Sequence, residues 1–182
     1  MKYVYHLKPQ NMFGEILFPL NLMKVNFPEV YNFHINKYKG REFIMDSHVP
    51  ILNCKWNDVI HTSPIDPRIV YKELKQAGLT VNEKSVWIKI PIEKLNESLT
   101  VIFKYENEDG EATDNQMIKF SKNSFQNLIE LPTGTNKYYK ESSENKIRPL
   151  LFHLVPHVLT MDKIDISNCE TFCLSKEIEF KK

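Results

Sequence analysis

Two short polar clusters carry side chains that could take part in chemistry. The first is Tyr5-His6, at the end of an aromatic and β-branched stretch, and the second is His61-Thr62-Ser63. An imidazole at the end of a strand can hydrogen-bond a ligand hydroxyl, and the hydroxyls after His61 can bond a sugar or an amide. A helix that begins after Asp66 would add free backbone N–H groups suited to a phosphate. The clusters therefore predict a small-molecule site. The competing interpretation makes His6 a structural histidine and Ser63 a turn residue.

A second candidate pairs Cys54 with His61. A thiolate beside a cation or an imidazole could act as a nucleophile, with Asp58 orienting the ring. Such a thiol hydrolase would lose activity when Cys54 alone is alkylated. The competing interpretation is a buried cysteine that packs beside Trp56, which is the more common arrangement.

A third candidate is a metal site made of four residues, His153, His157, Cys169 and Cys173. These residue types bind zinc, but Pro149 and Pro156 favour extended chain over a helix. On one strand, the two histidines would lie about 13 Å apart, which is too far for one ion. We therefore expect no metal.

Composition narrows the class of protein. The 182 residues correspond to one domain with a real core, since 42% are hydrophobic and 12% aromatic. The 24 basic and 23 acidic residues nearly balance, which excludes a general polycation for nucleic acid or membrane surfaces. Three cysteines without a disulfide spacing favour a reducing compartment. No apolar run is long enough for a membrane helix, and His6 and Lys8 interrupt any leader. We expect a cytoplasmic protein that does not span a membrane.

Hydrophobic periodicity predicts helices early in the chain and strands later. Helices are expected over 28–39 and 66–78, and strands over 3–7, 86–91, 99–105, 117–120, 149–161 and 171–180. The polar segment 132–147 is typical of a mobile loop, and it is our candidate for acceptor recognition. This order predicts a single α+β domain over 1–182 rather than alternating βαβ units.

The order of several short motifs resembles the ADP-ribosyltransferase-like proteins, especially the DarT-type DNA ADP-ribosyltransferases. The resemblance covers about two thirds of the chain. Those proteins begin with a strand ending in Tyr-His, continue through an Arg-containing helical region and an aromatic-Ser-Pro strand, and close on a strand with a catalytic Glu. The matching positions here are Tyr5-His6, Asn11-Met12, Ile16-Leu17, Arg41, Thr62-Ser63-Pro64-Ile65 and His157-Val158-Leu159-Thr160.

The resemblance implies a fold, a reaction and a set of roles. The fold would be a split mixed sheet with helices mainly in the N-terminal half and an NAD-sized cleft between the sheet halves. The protein would cleave the nicotinamide–ribose bond of NAD, its substrate, and transfer ADP-ribose to a protein or nucleic acid. Tyr5, His6, Arg41, His61 and Ser63 would bind NAD. Within that set, His6 would hold the adenosine ribose, Ser63 the nicotinamide side and Arg41 the pyrophosphate.

The chain departs from this family at the catalytic position. His157 stands where the family has its Glu, and the nearest downstream acid at the last strand is Glu170. Because the transition state resembles an oxocarbenium ion, a protonated histidine would repel the developing charge. Transfer therefore requires Glu170 to reach the site beside His157. The alternative is a module on the same fold that binds a ligand or partner without turnover.

Overall fold

Two antiparallel sheets frame the protein in a computed structural model that describes residues 1–12, 14–106, 112–126 and 128–175. The first sheet has the order β1-β6-β11 and the second β5-β9-β7-β8, with two short pairs, β2–β10 and β3–β4, beside them. The strands are β1 (Tyr3–Leu7), β2 (Ile16–Leu17), β3 (His48–Val49), β4 (Cys54–Lys55), β5 (Ile60–Thr62), β6 (Val86–Pro91), β7 (Thr100–Phe103), β8 (Met117–Lys119), β9 (His157–Thr160), β10 (Ile164–Asp165) and β11 (Glu170–Cys173).

The helices lie mainly in the first half of the chain, as predicted. They are α1 (Leu20–Asn26), α2 (Pro28–Ile35), α3 (Pro67–Gln76) and α4 (Thr133–Glu144). Short 3₁₀ helices cover Asn36–Tyr38, Glu42–Asp46, Trp56–Asp58, Ile92–Lys94, Glu97–Leu99 and Asp114–Gln116. Helices and sheets share one α+β domain, which confirms that part of the fold prediction. Within the described ranges, no helix has the length and apolar character needed to cross a bilayer.

Three expectations are corrected by the structure. The sheet is split as expected, but it is not mixed, because every strand pair described is antiparallel. The loop predicted over 132–147 is helix α4, which buries Thr135, Tyr139 and Ser142 against the core. The strand predicted over 149–161 is confined to β9, because turns precede it. Of the strand predicted over 171–180, residues 176–180 lie outside the described part of the chain.

The core is arranged in three layers of apolar side chains. Val4 and Ile88 from the first sheet meet Ile60 and Val158 from the second, so one cluster fills the space between the sheets. The other face of the first sheet packs against α3 and α4. The outer face of the second sheet packs against the β3–β4 pair.

A single backbone bridge joins the edges of the two sheets. Tyr5 and Ser63 exchange two hydrogen bonds, with N···O distances of 2.8 and 2.9 Å. Because this bridge is isolated, β1 and β5 do not form a continuous ladder. The ends of both strands are thereby left beside a gap between the sheets.

Candidate ligand-binding site

Three histidines from three different strands line the same two cavities near this bridge. His6 lies on β1, His61 on β5 and His157 on β9. The rings of His61 and His157 are 6.5 Å apart between centroids and nearly perpendicular. They share a face of the second sheet, because His61 pairs with Leu159 and His157 is two residues from it. The fold therefore brings together three residues that the sequence placed in the candidate site.

Burial keeps all three imidazoles neutral at pH 7. Desolvation lowers the pKa of His6 and of His157 to about 4 in each case. Desolvation, together with smaller electrostatic contributions from His157, Lys37 and His6, lowers the pKa of His61 to about 3. His61 donates its Nε2–H to the carbonyl of Trp56 over 2.9 Å. Each neutral ring offers one N–H donor and one nitrogen acceptor, so the group is suited to hydrogen bonding.

Two adjoining cavities surround the histidines, and we call them together the cleft. The first has a volume of about 320 Å³ and the second about 500 Å³, which is in the range of ligand pockets, about 300–1,000 Å³. The first cavity continues between apolar side chains of β2, α1 and β5, and the second reaches Trp87 and Phe152. The residues lining both cavities are His6, Pro9, His34, Lys37, His61 and His157.

Buried polar atoms without hydrogen-bond partners concentrate in this cleft. The described residues contain five such side-chain atoms, and four of them belong to residues that line the cleft. Asn57 and Trp87 are each only 2% exposed. Buried polar groups are almost always paired, so this concentration of unpaired ones marks the cleft as the candidate site. The four atoms are His6 Nδ1, Asn57 Oδ1, Trp87 Nε1 and His157 Nδ1.

The cleft carries positive charge without a carboxylate among its described lining residues. Lys37 follows α2 and lines both cavities, and Lys8 lines the second. Desolvation by neighbouring atoms lowers the pKa of Lys37, although the residue is exposed. Its Nζ lies 4.9 Å from the centroid of the Tyr38 ring. The surroundings therefore favour a ligand with negative charge and a ring.

Arg41, the residue expected to bind pyrophosphate, does not line the cleft. Its side chain is exposed, and its Nη2 donates to the carbonyl of Lys37 over 3.2 Å. The cation placed at the cleft is Lys37 instead. The Lys37 side chain gave no signal in the sequence, where it marks only the end of a helix.

Glu170 is separated from the histidines by the first sheet. It pairs with Lys89, which pairs with Tyr5, so these three side chains share one face of the sheet. His6 is next to Tyr5 on β1 and therefore faces the opposite side. The Glu170 carboxylate is exposed and lies 2.9 Å from Lys89 Nζ. Glu170 thus does not join His157, contrary to the requirement of the transfer hypothesis.

Tyr5 and Ser63 take part in the framework around the cleft. The Tyr5 ring is buried and contacts Phe172 edge-on, at 6.3 Å between centroids. The Ser63 hydroxyl oxygen accepts a hydrogen bond from the backbone N–H of Ile65 at 3.1 Å, as in a turn. Both residues border the second cavity. Ser63 still has a hydroxyl hydrogen to donate, whereas the Tyr5 ring packs in the core.

The α3 N-terminus, expected to suit a phosphate, is capped by its own chain. The Asp66 carboxylate accepts a hydrogen bond from the Arg68 backbone N–H at 2.9 Å. The same carboxylate is paired with the Arg68 guanidinium. A second anion at this helix end would meet the negative charge of Asp66, so the site for an anion is not here.

The thiol and metal alternatives gain no support. Burial and the charge of Asp58 raise the pKa of Cys54 to about 11, so its thiol is protonated at neutral pH. The four metal-type residues do not assemble, since His153 Nδ1 lies 3.1 Å from the Tyr105 hydroxyl and Cys173 contacts Glu83. Across the described ranges, no three His, Cys, Asp or Glu side chains are placed to hold a metal ion.

Comparison with known proteins adds no assignment. No protein-family model, no curated protein and no solved structure matches this chain. Its function is therefore proposed from the residues and geometry of the cleft.

Proposed function

We propose that this protein binds an NAD-type dinucleotide in the cleft and does not cleave it. The four unpartnered polar atoms on residues around the cleft carry the proposal. Their residues come from β1, β6, β9 and the 3₁₀ helix before β5, so the ligand would contact both sheets. His6, His61 and Ser63, to which the resemblance assigns NAD binding, all line the second cavity.

The polar groups of the cleft are matched to a nucleotide. Asn57 Oδ1 beside the first cavity can only accept a hydrogen bond, and Trp87 Nε1 beside the second can only donate one. Neutral His6 and His157 can bond ribose hydroxyls as donor or acceptor. Trp56 and Tyr38 line the first cavity and provide aromatic surface for a ring. Lys37 provides positive charge for the phosphates.

The absence of a carboxylate favours binding over transfer. Cleavage of the nicotinamide–ribose bond builds positive charge on the ribose, which a nearby carboxylate stabilises. The described lining residues include no Asp or Glu, and Glu170 lies across the sheet from His6. Neutral histidines and a lysine do not stabilise that charge. ADP-ribosyl transfer is therefore the weaker of the two proposals.

Calorimetric titration with NAD tests the binding proposal. Saturable binding is expected for the wild type, with at least a tenfold loss in His6→Ala, roughly the effect of one lost hydrogen bond and its packing. His48→Ala is the matched control, because His48 is exposed, lies outside the lining of both cavities and has its Nε2 3.2 Å from Asn53 Oδ1. Lack of binding to the wild type, or equal losses in both variants, would contradict the proposal.

Release of nicotinamide separates binding from transfer. With NAD in excess, we expect no release above the protein-free rate, for the wild type and for Glu170→Gln alike. Glu170→Gln should also bind NAD as the wild type does, because its carboxylate faces away from the cleft. If the wild type released nicotinamide and Glu170→Gln did not, the protein would be an enzyme and the binding proposal would be wrong.

A further inference from the structure

The charge of Lys37 acts directly on the histidines of the cleft. Lys37 lines both cavities, and its ammonium lowers the pKa of both His6 and His61. It follows helix α2, which closes one side of the cleft with His34. A ligand that contacts the three strand histidines is therefore within range of the Lys37 charge.

No acidic side chain balances this charge in the described part of the protein. The ion pairs found there involve other cations, and none includes Lys37. The charged groups that act on His6 and His61 are Lys37 and other histidines, without a carboxylate. The described residues around the cleft therefore present a net positive field to a ligand.

We infer that the cleft selects diphosphate nucleotides without a positively charged ring, so that NADH and ADP-ribose bind more tightly than NAD⁺. This inference rests on the proposed function and specifies the ligand class. The oxidised nicotinamide ring carries a positive charge, which the field around Lys37 repels. The reduced ring is neutral, and ADP-ribose has no nicotinamide. All three ligands carry the same diphosphate, so the ring charge alone separates NAD⁺ from NADH.

Parallel titrations of the wild type with NAD⁺, NADH and ADP-ribose test the inference at one pH and salt concentration. We expect the dissociation constants of NADH and ADP-ribose to be about tenfold below that of NAD⁺. Raising the salt concentration should narrow the ratio, because salt screens the Lys37 charge. ADP-ribose distinguishes a field against the positive ring from a specific contact with the reduced ring, for which NADH alone would bind tightly.

The variant Lys37→Gln identifies the source of the selectivity. It should bring the three dissociation constants close together, while the matched Lys39→Gln should keep the wild-type ratio, since Lys39 is exposed and does not line the cleft. Equal affinities for NAD⁺ and NADH in the wild type would overturn the inference but leave the proposed function standing. An unchanged ratio in Lys37→Gln would also overturn it. Lack of binding by all three ligands would instead overturn the proposed function.

Discussion

Two buried regions differ in how many of their polar groups are paired, although Asn136 Oδ1 on α4 is also without a partner in the described structure. Where α4 meets the turns before β9, the Thr135 hydroxyl donates to the carbonyls of His153 and Leu154, at 3.0 and 3.2 Å. The Tyr139 hydroxyl donates to the Leu151 carbonyl. In the cleft, by contrast, four polar atoms have no partner in the described structure. Both regions are shielded from water, so burial alone does not explain the difference.

The difference separates groups that hold the fold from groups that await a ligand. A satisfied buried hydrogen bond contributes about 0.5–1.5 kcal/mol to stability, whereas an unsatisfied buried group costs about 1–3 kcal/mol. A protein keeps such costs where they serve binding. On this basis, substitutions in the α4 region should affect folding, and substitutions in the cleft should affect binding.

The largest effect is expected at Tyr139, whose side chain is fully buried. Tyr139→Ala removes an aromatic ring from the cluster between the first sheet, α3 and α4, and should lower the free energy of unfolding by about 3–5 kcal/mol. Urea denaturation measures this loss. The neighbouring Lys140→Ala is the control, because Lys140 is exposed. A loss below about 1 kcal/mol for Tyr139→Ala would mean that 132–147 behaves as the loop predicted from sequence.

An intermediate effect is expected from each single histidine of the cleft as the pH is lowered. His61 has a folded pKa of about 3 against its ordinary 6.5, so the unfolded chain binds a proton that the folded protein rejects. Stability is therefore full above pH 6.5 and falls as the pH is lowered toward 3. The slope per histidine is at most about 1.4 kcal/mol per pH unit. His6 and His157 add to it down to about pH 4.

The variant His61→Asn isolates one of these contributions. We expect urea denaturation between pH 4.5 and 7.5 to show that the free energy of unfolding falls less steeply with decreasing pH in the variant than in the wild type. The difference in slope should correspond to about one fewer proton taken up on unfolding. Above pH 7.5 the difference between the two proteins should no longer depend on pH. Parallel curves over the whole range would show that His61 is not held neutral by burial.

The smallest effect on stability is expected for two substitutions that each replace a polar side chain by an apolar one of similar shape. The Thr100 hydroxyl bonds the Thr160 hydroxyl at 2.9 Å inside the second sheet, so Thr100→Val should cost about 1 kcal/mol of stability. His157→Leu removes an unpartnered nitrogen, so it should cost less stability than Thr100→Val while weakening NAD binding. Thermal unfolding and calorimetry on both variants measure this. A greater loss of stability in His157→Leu, with NAD binding weakened only in Thr100→Val, would contradict the distinction between the two regions.

Local signals made part of the fold predictable. Helix α3 has Asp66 as its N-cap and Pro67 as its first residue, and it ends before Gly78, whose φ is +79°, so both ends carry the residues that such ends require. Strand β1 is also predictable, from its aromatic and β-branched residues, with the bounds it has in the structure.

Helix α4 could not be predicted because its stability comes from distant contacts. Gly134, Ser142 and Ser143 have low helix propensity, and the polar composition is typical of a loop. The helix is stabilised by the burial of Tyr139 and by the bonds from Thr135 to the turns before β9. The sequence alone does not show that α4 is in contact with the turns before β9.

The candidate site was predictable only on its strands. His6, His61 and His157 stand out in strand motifs, and the fold places them together. Lys37 does not, and Arg41 is the residue that the sequence favours in its place, because helix α2 and the turn after it decide which cation faces the cleft. The position of Glu170 depends on strand register, since a shift of one residue would put it on the other face of the sheet.

The single bridge between Tyr5 and Ser63 links the two sheets beside the cleft. Two backbone hydrogen bonds are the only ladder contact between the described strands of the two sheets, which are otherwise joined by apolar packing. A ligand that bonds both His6 on the first sheet and His61 on the second would add a second polar link between the sheets. At a concentration 100 times its dissociation constant, it would stabilise the folded protein by about 2.7 kcal/mol. The melting temperature would then rise with the occupancy of the cleft, and it would report ligand binding.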